Sequence, residues 1–191
     1  RRIMRHILQE HLALITSRVY RRDHFTSVLV SDLITEMKTA ESTRGTYCFP
    51  LYLYPEEDAA VLFDDTATSP WDPDPAHGNR VPNLSQDFVE EFAAKLGLVF
   101  DAHNTGNAPG QTFGPEGILA YVYAVLHSPT YRERFAEFLR IDFPRVPLTS
   151  DVDLFWKLVG LGSEVIDLHL MEHPKLSETI TSYPVPGDDR V

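Results

Sequence analysis

Residues 121–139 read YVYAVLHSPTYRERFAEFL, two helical patterns with a stop written between them. Before the stop, Ile118, Tyr121, Val122, Val125 and Leu126 recur at the three- and four-residue spacing of one helix face. Ser128 then offers a side-chain oxygen to cap a new helix. Pro129 suits its first position, where no amide hydrogen is required. In that second helix Tyr131, Phe135, Phe138 and Leu139 are expected to turn inward, which leaves Arg132 and Arg134 facing out. The proline thus restarts the helix at a new angle.

The same pattern extends on both sides. Pro115 opens the helix that carries Tyr121. Upstream, Ser85 is a good cap for a stripe of Phe88, Val89, Phe92 and Leu96, and Gly97 ends it. Downstream, FPRVPL (143–148) is an extended connector stiffened by two prolines. A last helix is expected from Ser150 to Glu172, with Asp151 and Asp153 near its start. Phe155, Leu158, Val159, Val165, Ile166 and His169 supply its buried side, and Gly160 and Gly162 let another element pack closely.

The N-terminal part changes period. After a short helical stretch, RRIMRHILQ (1–9), three β-branched or aromatic runs follow: HLALITSR (11–18), TSVLVSD (26–32) and TYCFPLYLYP (46–55). Pro50 marks an edge strand or a bulge, because it cannot donate to a ladder. Asp32–Met37 suits one or two helical turns capped by Ser31 or Asp32. The expected fold class is α+β: a small N-terminal mixed sheet of about three strands, then a mainly helical C-terminal lobe. The chain divides into a sheet subdomain (1–55), an acidic proline-rich loop (56–82), the helical lobe (83–173) and a tail (174–191).

Charge is unevenly spread. The net charge is −11, yet residues 1–55 hold eight Lys/Arg against five Asp/Glu. Residues 56–128 hold two against twelve. A basic face beside an acidic loop is therefore permitted. No apolar run approaches the ~20 residues that span a bilayer, so no membrane partner is expected and the location is cytoplasmic. Cys48 is the one cysteine, which excludes an internal disulfide. The chain opens on Arg1-Arg2 without Met and reads as a fragment of a longer protein.

Catalytic signatures are missing. Gly160-x-Gly162 lacks a third glycine and lies in a helix, and there is no P-loop, GxSxG or HExxH. Asp101-x-His103 offers half of a hydrolytic site, and Asp72-Pro73-Asp74 is too short for a calcium loop. His127 reads as a helix C-terminal residue and His169 as a core residue. No catalytic residue, metal site or cofactor is expected in this fragment. Tyr52 and Tyr54 alternate with Leu51 and Leu53 on one strand, which gives an amphipathic edge or, less simply, a wedge against bases. An interaction module whose acidic loop docks a basic partner is the alternative class.

Five segments in order, RRIMRHILQEHLALITSR, FPLYLYP, PNLSQDFVEEFA, YVYAVLHSPTYRERFAEFLRIDFPRVPL and LGSEVIDLHLME, resemble the C-terminal specificity domain of Type ISP restriction–modification enzymes. The resemblance runs from Arg1 to about Glu172, and His11 departs from the Asn such sequences often carry there. It implies a domain that reads an asymmetric site on double-stranded DNA. An upstream methyltransferase domain of the same polypeptide would use S-adenosylmethionine on a flipped adenine, with nuclease and translocase domains further upstream. On that reading Arg18, Arg21, Arg22 and Arg44 from the sheet, and Arg132, Arg134 and Arg145 from the helical lobe, are the candidate DNA contacts.

Overall fold

The computed structural model describes the chain apart from residues 1–3, 20–24, 26–27, 37, 41–44, 56–68, 107, 179–186 and 188–191. The centre of the fold is α3 (Pro115–His127), which buries residues on every side, from Ile118 and Leu119 to Tyr123 and Leu126. A helix apolar all round must be enclosed. It is packed chiefly against α6 (Val152–His169), and the two approach closely at Gly162. A Cβ placed on Gly162 would lie 1.8 Å from the Ala120 carbonyl oxygen, so only glycine fits. Gly160 meets nothing comparable.

Around this pair stands a set of rings at edge-to-face distances. Phe155 is fully buried and lies 5.5 Å from Phe92, 5.7 Å from Phe113 and 4.9 Å from Trp156. Phe92 comes from α2 (Gln86–Leu96), which ends at Gly97 with φ +65° as its sequence requires. Asp151 caps α6, its carboxylate accepting from the Leu154 amide at 3.0 Å. The helix is shorter at both ends than the Ser150–Glu172 span. His169 is exposed rather than buried, although its Nδ1 is 2.6 Å from the Tyr123 hydroxyl.

The three expected strands form one sheet in the order β2-β1-β3: β1 (Ala13–Ser17), β2 (Val28–Ser31) and β3 (Thr46–Pro50). Both pairings are antiparallel, so the sheet is not mixed. The connection over residues 18–27 is shorter than a parallel crossover needs. β2 buries Val28 and Val30 and is the strand that meets α3 and α6. Pro50 ends β3, which is an edge strand.

Asp32–Glu36 is not helical. The Ser31 hydroxyl instead accepts the Leu33 amide at 3.0 Å, a local turn that competes with helix formation. The run 46–55 is also divided. At Leu51, whose amide donates to the Leu12 carbonyl at 2.7 Å, the chain leaves the first sheet. It then makes β4 (Tyr52–Leu53), which pairs with β5 (Val81–Pro82). Of the acidic stretch, residues 56–68 lie outside the described residues. Residues 69–82 are anchored, with Trp71 stacked 5.5 Å from Phe100 and its indole N–H donating to the Leu84 carbonyl at 3.0 Å. A short parallel pair, β6 (Val99–Phe100) with β7 (Thr112–Phe113), closes the fold below.

Candidate nucleic-acid interface

The stop at Ser128 is built as the sequence suggests. The Ser128 hydroxyl accepts from the Tyr131 amide, and α4 (Pro129–Arg134) begins at the proline. The second helix then breaks at Phe135, whose φ of −110° and ψ of 17° separate α4 from α5 (Ala136–Leu139). That break turns the register. Tyr131 and Leu139 are buried, whereas Phe138 is 68% exposed instead of facing the core.

The two arginines of α4 have different surroundings. Arg132 does not project outward: its Nε donates to the Leu126 carbonyl at 2.6 Å, and its guanidinium lies 5.9 Å from the Phe25 ring. A cation at the last turn of α3 satisfies a carbonyl left without a helical partner. Arg134 is exposed, with its guanidinium 5.7 Å from the Phe135 ring. Arg145 is exposed on the connector, where its carbonyl accepts the Tyr131 hydroxyl at 2.9 Å. Tyr121 holds the same connector through the Pro147 carbonyl at 2.6 Å.

Arg18, at the end of β1, meets this connector from the sheet. Its Nε donates to Asp142 at 3.0 Å. The Asp142 carboxyl is held below the ordinary carboxylate range by the Phe143 amide, then by Arg18, with a smaller contribution from the nearby Arg145 charge. Arg18 and Arg145 therefore flank one carboxylate. Arg21, Arg22 and Arg44 lie outside the described residues.

The sheet adds side chains that sequence reading passed over. Tyr47 and Phe49 alternate on β3, are 45% and 42% exposed, and stack with ring centroids 6.4 Å apart. Phe143 stands edge-on to both, at 5.0 and 5.8 Å. Below them the exposed Phe138 and Ile141 line a groove of about 400 Å³ with Tyr131, Phe135 and Arg145. The signal was present in the sequence: Tyr47-x-Phe49 has the period of a strand with one free face. The other alternating pair is the wrong one. Tyr52 is buried, donates to Glu116 at 2.7 Å and carries the Arg80 guanidinium 4.1 Å above its ring. Burial pushes the Tyr52 hydroxyl far above its ordinary range, with the Glu116 charge adding to it, and burial likewise raises the Glu116 carboxyl. Tyr54 donates to the Glu10 carbonyl. His11 is buried, its Nδ1 3.0 Å from the Gln9 carbonyl.

What emerges is an α+β module whose sheet edge and inter-helix connector meet in one aromatic surface flanked by arginines. The chain belongs to the Type ISP C-terminal specificity domain family, whose profile matches residues 1–191. It is similar to part of DrdV in a cryo-EM structure of a DrdV–DNA complex, with 25% identity and a TM-score of 0.60 over 95% of this chain. It also shares its fold with part of LlaBIII, an ATP-dependent Type ISP restriction-modification enzyme bound to DNA, at 22% identity and a TM-score of 0.54 over 85% of this chain. The matched region is 14% of the DrdV chain and 8% of the LlaBIII chain, so this chain spans a small part of either. No curated protein matches it. Among the described residues, no helix is long and apolar enough to cross a membrane.

Proposed function

We propose that this domain is the DNA target-recognition unit of a Type ISP-like restriction–modification enzyme or adenine-specific DNA methyltransferase. The observation that carries the reading is the family match over residues 1–191. The DNA present in the DrdV and LlaBIII structures supports it. The domain itself supplies no catalysis and needs no cofactor. An upstream part of the same polypeptide supplies methyl transfer from S-adenosylmethionine and, in a full restriction enzyme, nuclease and translocase activities in the cytoplasm.

Within that reading, Arg18, Arg134 and Arg145 contact phosphates or base edges, together with Arg21, Arg22 and Arg44. Tyr47, Phe49 and Phe143 supply the apolar contact surface between them. Phosphate contacts fix register and base contacts give sequence preference. Arg132 serves the α3 terminus and acts indirectly, by setting where α4 lies.

The test is a domain exchange in the full polypeptide. Residues 1–191 are replaced by the corresponding domain of a relative that reads another site, and methylated adenines are mapped by sequencing. The methylated sequence should move with the domain. A pattern that stays with the upstream part would refute the assignment.

A further inference from the structure

Three side chains from two separate loops converge in another cluster, and none of them belongs to the aromatic surface. Asp74 caps the short 3-10 turn Pro75–His77, its Oδ1 accepting the Ala76 amide at 2.8 Å. His77, three residues on, turns back over the cap, with Nδ1 2.8 Å from Asp74 Oδ2. His103 arrives from the loop between β6 and β7, with Nε2 3.6 Å from the same oxygen. Its backbone is set there by Asp101, whose carboxylate accepts the His103 amide at 2.9 Å. The two imidazoles stack with centroids 4.0 Å apart and planes 15° from parallel.

The geometry points to a divalent transition-metal site, of the zinc class, formed by Asp74, His77 and His103. The three ligand atoms lie within 4.8 Å of one another. Ligands about 2.1 Å from a tetrahedral ion stand ~3.4 Å apart. The His103–Asp74 pair, at 3.6 Å, is near that separation. His77 must draw back from 2.8 Å, and one of the stacked rings must turn for both nitrogens to face one ion. The side chains are 43%, 35% and 32% exposed for His77, Asp74 and His103, which leaves an ion a path in and room for water as the fourth ligand. Two imidazoles and one carboxylate suit zinc, cobalt or nickel, and too few oxygens are present for calcium or magnesium. An ion would take the place of the proton between His77 Nδ1 and Asp74, and that proton would move to Nε2.

Such an ion would join residues 69–82 to the 101–113 loop across a pocket of about 550 Å³ that Asp72, Asp74, Phe100 and His103 help to line. Its role is that of a staple, and it is independent of how the domain meets DNA. The experiment uses the full natural polypeptide carrying this chain, loaded with zinc, dialysed and assayed for bound metal by mass spectrometry. The His77→Gln/His103→Gln double variant should hold one equivalent fewer than the parent. Cobalt added to the parent, minus the variant, should show the visible bands of a tetrahedral ion. Each single variant should weaken zinc by more than the roughly 10–100-fold that loss of an outer-shell partner costs. If the glutamine variants fail to fold, Asp74→Asn keeps the oxygen that caps Ala76 and gives the same readout. Equal zinc content in parent and folded variant, or no cobalt difference spectrum, overturns the site.

Discussion

Two aromatic clusters in this domain have different fates. Phe155 and four rings around it, from α2, α3, α6 and β7, are enclosed; three of the four meet Phe155 edge-to-face and Tyr121 is tilted to it. Around Phe143, Tyr47 and Phe49 touch in the same geometry but keep nearly half their surface open. Pairing rings gives about 0.5–1.5 kcal/mol beyond burial in either place. Burial itself separates them: the first cluster stabilises the fold, and the second leaves preformed apolar area open to solvent. The difference follows from the elements beneath. Helix faces must be covered, whereas the outer face of an edge strand need not be.

The two clusters should differ most in what truncation costs the fold. Phe155→Ala should cost about 3–5 kcal/mol of stability, read as a large fall in the unfolding midpoint, since no neighbour can fill the space. The paired change Tyr47→Ala with Phe49→Ala should lower that midpoint less, since both rings are nearly half exposed and each ring pair lost costs about 0.5–1.5 kcal/mol. In the full polypeptide it should weaken DNA binding by about 2 kcal/mol, the scale of an interface anchor. A large loss of stability in this variant would mean that the two clusters are one core.

Tyr131→Phe tests the link between the regions. It removes the hydroxyl that holds the Arg145 carbonyl and should cost about 1 kcal/mol of stability. DNA binding should weaken with it, because the connector is then freer. Arg18→Ala should have the smallest effect on folding, within about 1 kcal/mol, since its partnership with Asp142 is exposed. A salt titration of binding should nonetheless lose about one unit of slope if Arg18 neutralises a phosphate. An unchanged slope would remove Arg18 from the contact surface.

Much of the helical half was legible because its signals are local. Gly97, Ser128, Pro129 and Asp151 each perform the terminal role their chemistry suggests. Strand existence was legible too, from β-branched runs and from Pro50. What escaped depended on contacts distant in sequence. No local rule shows that Tyr52 will find Glu116, or that β3 will release the chain at Leu51 to a second sheet. Phe138 was misplaced because a break at Phe135 shifts the helical register without any glycine or proline to announce it. Arg132 was expected to face out, and it turns back because its carbonyl partner belongs to the preceding helix. On the candidate surface, charge drew attention to arginines and not to the exposed pair Tyr47 and Phe49.

The edge position of β3 has a consequence for how such domains diversify. Among the described residues, Tyr47 and Phe49 stand on a strand paired on one side only, by β1, and Pro50 closes it without an amide hydrogen to recruit another chain. Substitutions at these two positions therefore cost folding less than substitutions in the enclosed cluster around Phe155. A lineage can exchange them at a smaller loss of stability. The same freedom makes positions 47 and 49 the natural pair to randomise in a library that seeks altered DNA preference.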